Sequence, residues 1–153
     1  MSADEVWLDD KEQMAWRAYL RSHALLVAEL NRRLLALTGL TVQDYEVLVN
    51  LSEADCGRLR SFQLAEAMQW ERSRLTHQLT RMERRGLIVR EVCEEDRRGS
   101  EVVLTAAGRR TMRRAAPHHA ADVRELFVAP AGGQLGTVAA VARRMEAALS
   151  AAE

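Results

Sequence analysis

The chain is short of most of the residue patterns on which small proteins build chemistry. Of its 153 residues only two are cysteine, Cys56 and Cys93. That is too few for a disulfide framework, and their spacing is not that of a metal site. Proline occurs twice and glycine eight times, with no low-complexity tract and no glycine-rich loop of phosphate-binding spacing. No apolar run reaches the ~18 residues of a membrane span, and the first residues lack a signal-peptide pattern. The expectation is therefore a cytoplasmic protein with no membrane partner. A nucleophile with its base, a carboxylate pair and a metal cluster are all missing as motifs, so the chain reads as a non-enzyme with no cofactor and no metal. Adjacent His118 and His119 point in different helical directions and make a poor metal site.

What is present is a core and an uneven charge. Hydrophobic residues reach 48% and charged residues 29%, enough for one compact domain and against disorder. Formal net charge is zero, yet the distribution is not flat. Residues 1–55 carry 5 basic and 10 acidic side chains, residues 56–114 carry 14 arginines against 8 carboxylates, and residues 115–153 carry 3 against 4. A polyanion would meet the middle third. All basic residues but Lys11 are arginine. The planar fork suits phosphate and guanine edges, but a GC-rich genome produces the same skew.

Helical periodicity appears first from Asp9 to about Leu37, where Trp16, Tyr19, His23, Leu26, Leu30, Leu34 and Leu37 recur at spacings of three and four. Thr38-Gly39 should end that helix. Thr41 with Asp44 has the form of a capping box for a second helix bearing Tyr45 and Leu48. "ADCGRLR" reads as a turn, and Ser61 as the N-cap of a short helix with Phe62, Leu64, Ala65 and Met68. In "ERSRLTHQLTRMERRGL", Leu75, Leu79 and Met82 form a narrow apolar stripe, with Ser73, His77, Thr80 and Arg84 opposite. Gly86 sits where a helix-ending glycine belongs. "LIVREV" and "EVVLT" are short and β-branched around the charged "CEEDRRGS", the pattern of a hairpin. Thr105 should cap a long helix, Pro117 should kink or interrupt it, and Pro130 with Gly132-Gly133 should break it again. Leu135, Val138, Ala142, Met145 and Leu149 then make a coiled-coil-like seam. Seams at both ends of the chain are most economically buried against a second copy.

Short helices, a third helix with a polar and basic face, then a charged hairpin: this order predicts a mainly α winged helix-turn-helix with long N- and C-terminal dimerisation helices. A helix fits the major groove, and arginines at a hairpin tip fit the adjacent minor groove. The stretch "DRRGSEVVLT" (residues 96–105) matches Asp-x-Arg, five residues, Leu-Thr of the MarR family of transcription regulators, with Asp96, Arg98, Leu104 and Thr105 in the four fixed places. "SRLTHQLTRMERRGLIVR" resembles that family's recognition helix and first wing strand. The resemblance covers essentially the whole chain, residues 1–153, and implies a DNA-binding lobe at 40–110 and dimerisation helices at 9–38 and 111–150.

By position it places Arg72, Ser73, Arg74, Thr76, His77 and Arg81 in or beside the major groove. It makes Arg98 the minor-groove arginine, braced by Asp96, with Arg97 near a phosphate. It further implies a homodimer on a pseudo-palindromic double-stranded operator, acting as a repressor that a small aromatic or phenolic effector releases. Trp16, His23 and Tyr45 are candidates to border the effector pocket, against ordinary core or dimer packing. Arg84 and Arg85 lie near the helix end, where interaction with its dipole competes with DNA contact. Two other functions stay open: a winged-helix protein-interaction module, and a redox-responsive regulator using Cys93. The face of residues 72–82 carries no carboxylate, which favours DNA over protein. Cys93 reads better as an inert thiol, because the family's peroxide sensors keep their cysteine in the first long helix. The urate-responsive branch is unsupported for want of its acidic residue in 72–82.

Overall fold

The structure, a computed structural model, describes residues 7–92 and 100–151. They fall into two compact units, one built from the described residues up to Leu26 together with those from His119 onward, the other from Val27–His118.

In chain order, helix α1 spans Asp10–Thr38 and α2 Val42–Glu53. A 3-10 turn at Asp55–Gly57 leads into strand β1 at Arg58–Arg60, then α3 at Ser61–Ala67 and α4 at Arg72–Arg84. Strands β2 (Ile88–Val92) and β3 (Ser100–Leu104) precede α5 (Ala106–Val123). A widened π turn (Arg124–Val128), α6 (Ala129–Ala131), a 3-10 turn (Gly132–Gln134) and α7 (Leu135–Ser150) complete the chain. The three strands form one antiparallel sheet in the order β1-β3-β2.

The Val27–His118 unit holds the core. Leu34 and Leu40 pack with Val47, Leu48 and Leu51 of α2, Leu64 of α3, Leu75, Leu79 and Met82 of α4, and Ile88, Val102 and Leu104 of the sheet. The expected stripe Leu75-Leu79-Met82 is thus the buried edge of α4, joined there by Gln78.

Local chemistry sets the ends of these elements. Gly39 takes φ 72° after α1, the left-handed conformation glycine adopts without steric cost. The capping box of α2 is formed in both directions: Asp44 N–H donates to Thr41 Oγ1 at 3.0 Å, and Thr41 N–H to Asp44 Oδ2 at 2.9 Å. Asn31 of α1 adds a third cap, its Oδ1 accepting the Val42 amide at 3.0 Å. Thr105 caps α5 through Gly108 N–H at 2.9 Å.

Three sequence expectations change. "ADCGRLR" is not only a turn: Arg58–Arg60 pairs with β3, Leu59 opposite Val102. A three-residue strand has too little periodicity to be read alone, and its pairing with a partner more than forty positions away creates it. Ser61 does not cap α3. Its hydroxyl instead donates to the Ser100 carbonyl at 2.9 Å, while Gln63 Oε1 accepts the Arg60 amide at 3.1 Å. Pro117 does not interrupt α5, which continues to Val123. Proline removes one N–H, and at this exposed position the freed carbonyl can turn to water. Helix geometry instead changes ahead of Pro130, where the Ala129 amide bonds the Arg124 carbonyl five residues back, and the chain breaks at Gly132, φ 49°.

Candidate nucleic-acid interface

Helix α4 follows the tight turn at Gln69-Trp70, where Gln69 is left-handed (φ 52°) and the Trp70 amide bonds the Ala65 carbonyl at 2.9 Å. That turn sets α4 against α3. With Leu75, Leu79 and Met82 inside, Arg72, Ser73, Arg74, Thr76, His77 and Arg81 are all exposed. The threonine hydroxyls are turned into the helix, Thr76 to the Arg72 carbonyl at 2.8 Å and Thr80 to the Thr76 carbonyl at 2.9 Å. Their protons are spent, so what they offer outward is a methyl group and acceptor lone pairs. The Arg74 guanidinium carbon lies over the Trp70 ring, 4.0 Å from its centroid. A stacked guanidinium keeps its edge donors available while losing rotamer freedom.

Beneath the exposed face lies a polar layer. Asp44 and Gln78 are buried, 2% and 3% exposed. Gln78 Nε2 donates to Asp44 Oδ1 at 2.6 Å, and Gln78 Oε1 accepts from Arg81 Nη2. Arg85 donates from Nη1 to Asp44 Oδ2 at 2.7 Å and from Nη2 to the Gly39 carbonyl at 2.6 Å. A buried carboxylate is tolerated only with such compensation. Arg85 thus lies over the surface and ties the end of α4 to the α1–α2 corner, with two of its N–H groups already engaged.

The hairpin is anchored at both ends. β2 and β3 pair from Ile88 opposite Leu104 to Val92 opposite Ser100. Glu91 faces Glu101 in that register, a repulsive arrangement, and Arg58 of β1 answers both, at 3.6 Å and 3.1 Å. Glu83 at the end of α4 takes Arg90 of β2 at 2.6 Å and also accepts the Arg90 amide at 3.0 Å. These bonds hold the Glu83 carboxyl below the usual carboxylate range. At the far end the Thr105 hydroxyl lies 2.7 Å from the Gly86 carbonyl and 2.9 Å from that of Leu87.

A helix with an exposed Arg, Ser, Thr and His face, held against a braced hairpin on a three-helix core, is a winged helix-turn-helix. The MarR family profile matches residues 40–100. Over 96% of this chain and 99% of the other, the chain is 45% identical to AbsC, a MarR family transcriptional regulator from Streptomyces coelicolor, with a TM-score of 0.86. The chain belongs to the MarR family. Sco3205, a MarR family regulator from the same organism solved in complex with DNA, is 35% identical over 92% of this chain and 89% of that one, with a TM-score of 0.86. CouR from Rhodococcus jostii RHA1, solved bound to p-coumaroyl-CoA, is 27% identical over 84% of this chain and 86% of that one, with a TM-score of 0.68. No curated protein sequence matched.

For this MarR protein the structure gathers six of the expected groove residues, Arg72 to Arg81, on α4. Asp96, Arg97, Arg98 and Cys93 lie outside the described residues. Trp16 and His23 sit exposed on α1, where Trp16, Tyr19 and His23 stack at centroid distances of 6.1 and 6.3 Å. Tyr45 belongs to the other unit and packs against the core, and burial pushes its phenol up. Trp70, Gln78, Asp44 and Asn31 were missed. Gln78 carries a signal in retrospect: it falls at i+3 from Leu75, on the buried stripe, where a polar residue demands a partner. Among the described residues no helix is long and apolar enough to cross a membrane.

Proposed function

We propose that this regulator acts as a homodimeric, sequence-specific repressor that reads a pseudo-palindromic operator with α4 and the wing, and leaves it when a small aromatic or phenolic molecule binds. The observation that carries the reading is the α4 face. Six side chains that donate to or accept from base edges and phosphates stand exposed together, with no carboxylate between Arg72 and Met82. Arg72, Arg74 and Arg81 take phosphates or guanine edges; Ser73, Thr76 and His77 face the groove. Arg98, braced by Asp96, enters the minor groove, with Arg97 on a phosphate. Sco3205 is solved in complex with DNA, which supports the same partner here.

Dimerisation through the terminal helices explains the apolar side chains left open on them. Met14 and Leu20 of α1, and Leu135, Val138, Val141, Met145 and Leu149 of α7, are all at least 38% exposed. Two copies of a seam on α7 bury each other as an isologous interface. For the effector, the stacked Trp16–Tyr19–His23 face supplies aromatic surface, and the phenolic acyl-CoA bound to CouR is of the class such a face accepts. Tyr45, in the other unit, is a separate candidate for effector contact.

Fluorescence anisotropy of the purified protein on the DNA upstream of its own gene, against scrambled duplex and at two salt concentrations, tests the reading. Selective binding with a steep salt slope is expected. Binding that ignores sequence, with the α4 face instead protecting a protein partner, overturns it in favour of a protein-interaction module.

A further inference from the structure

Among the residues of α4 that are buried, Leu75, Gln78, Leu79 and Met82, one is polar. Gln78 has an amide whose two ends are different, and the structure gives each end a distinct partner. Asp44 Oδ1 is an acceptor only, so the Gln78 NH2 must turn toward it, at 2.6 Å. That forces the amide oxygen toward Arg81, whose Nη2 donates to it. The direction of the amide is therefore dictated from below, by a carboxylate that is itself pinned. Asp44 Oδ2 accepts the Thr41 amide at 2.9 Å and Arg85 Nη1 at 2.7 Å, and Arg85 in turn holds the Gly39 carbonyl. The run Asp44–Gln78–Arg81 starts at a buried cap of α2 and ends at an exposed guanidinium on the α4 face. Arg81 spends one N–H on Gln78 and retains the others for an anion.

We infer that Gln78, with its amide turned by Asp44, is a positioning residue for operator binding: it preorders Arg81 before DNA arrives. An arginine that is already held loses less side-chain entropy on contact than a free one. The inference rests on α4 being the DNA face, and the test separates the two.

The probe is a labelled duplex that the wild-type protein selects from a random-sequence pool, read by anisotropy. Gln78→Met keeps the buried volume and removes both hydrogen bonds. It should raise Kd about two- to tenfold, the scale of ordering one long side chain. In an Arg81→Ala background the same substitution should leave Kd unchanged, because the side chain it acts through is gone. Arg81→Ala alone should flatten the slope of log K against log salt by about one phosphate, whereas Gln78→Met should leave that slope intact. Asp44→Asn should raise Kd in the same Arg81-dependent way, and if that variant fails to fold, the Gln78 cycle still decides. Equal losses from Gln78→Met in both backgrounds would show a general effect on the helix and overturn the inference, as would no loss in either. If Arg81→Ala alone does not change Kd while Arg72→Ala does, the relay has no purpose but the DNA face stands. If no duplex is selected at all, the DNA reading falls and the inference with it.

Discussion

Gly108 offers a prediction on which intrinsic propensity and tertiary structure disagree in sign. It lies in the first turn of α5 with ordinary helical backbone, so alanine there should stabilise by up to about 1 kcal/mol. The structure leaves no room for it. A Cβ on Gly108 would stand 2.1 Å from the Leu87 carbonyl oxygen and 3.0 Å from both the Leu87 carbonyl carbon and Leu104 Cδ1. The nearest atoms are backbone, so no side-chain rotation relieves the clash, and α5 must move by about 1 Å. The same Leu87 oxygen accepts the Thr105 amide at 3.3 Å and lies 2.9 Å from the Thr105 hydroxyl, so the displacement also strains those two bonds. Overpacking at about 1–3 kcal/mol plus two hydrogen bonds at roughly 1 each, less the propensity gain of about 1, leaves Gly108→Ala about 2–4 kcal/mol less stable. Urea denaturation at fixed protomer concentration should show the midpoint falling by about 1–2 M, for a slope near 2 kcal/mol/M. A midpoint unchanged or raised would mean that the close approach of α5 to Leu87 is not a real constraint, and the account of how the returning strand is anchored would go with it.

Three further outcomes follow from the site. Trp70→Leu removes the ring under Arg74 and should weaken operator binding about two- to fivefold by anisotropy, the worth of an exposed cation–π contact, with some loss in the urea midpoint because Trp70 also packs against the core; equal binding losses in an Arg74→Ala background would argue against the stack. Arg98→Ala should weaken operator binding without altering the circular dichroism spectrum or the urea midpoint, and unchanged affinity would remove Arg98 from the minor groove. Glu29 is held down to about 2 by hydrogen bonds from Arg32 and Arg33, and Glu83 is lowered by Arg90. Carboxyls depressed in the folded state stabilise it above their unfolded value, near pH 4.3, and that contribution is lost as pH falls through the folded value. Glu29→Gln should reduce the loss of stability between about pH 4 and pH 2, and Glu83→Gln the loss on acidification below about pH 4, measured by urea midpoints in acid; an unchanged acid profile would show those ion pairs to be without thermodynamic weight.

Periodicity and punctuation were enough to read most of the fold. The long first helix, its glycine stop, the Thr41–Asp44 box, the α4 stripe, the paired strands and the Thr105 cap are all local signals, each needing only residues within about one or two turns of one another. The six candidate groove residues on α4 came from the family resemblance; the apolar stripe put several of them on an outer face but did not show that Gln78 is buried. Strand β1 was not legible, since Arg58–Arg60 is extended chiefly by pairing with β3. Nor was the length of α5, because proline's local penalty does not say whether solvent is at hand to take the freed carbonyl.

The amino-acid sequence by itself determined that this chain would be a mainly helical winged helix with a basic face on its third short helix, because spacing along a helix or strand is a property of neighbours in the chain. Only the tertiary structure decided which polar groups lie under that face. Asp44 reads in the sequence as a helix cap; it is buried because α4 closes over it, and burial obliges Gln78 and Arg85 to come to it. Arg81 and Arg85 are four residues apart and chemically identical, yet Arg85 bridges to Asp44 and the Gly39 carbonyl while Arg81 donates to Gln78. Hydrogen-bond demand inside a packed interior is set by partners 34 and 41 positions away in the chain, and no local pattern carries it.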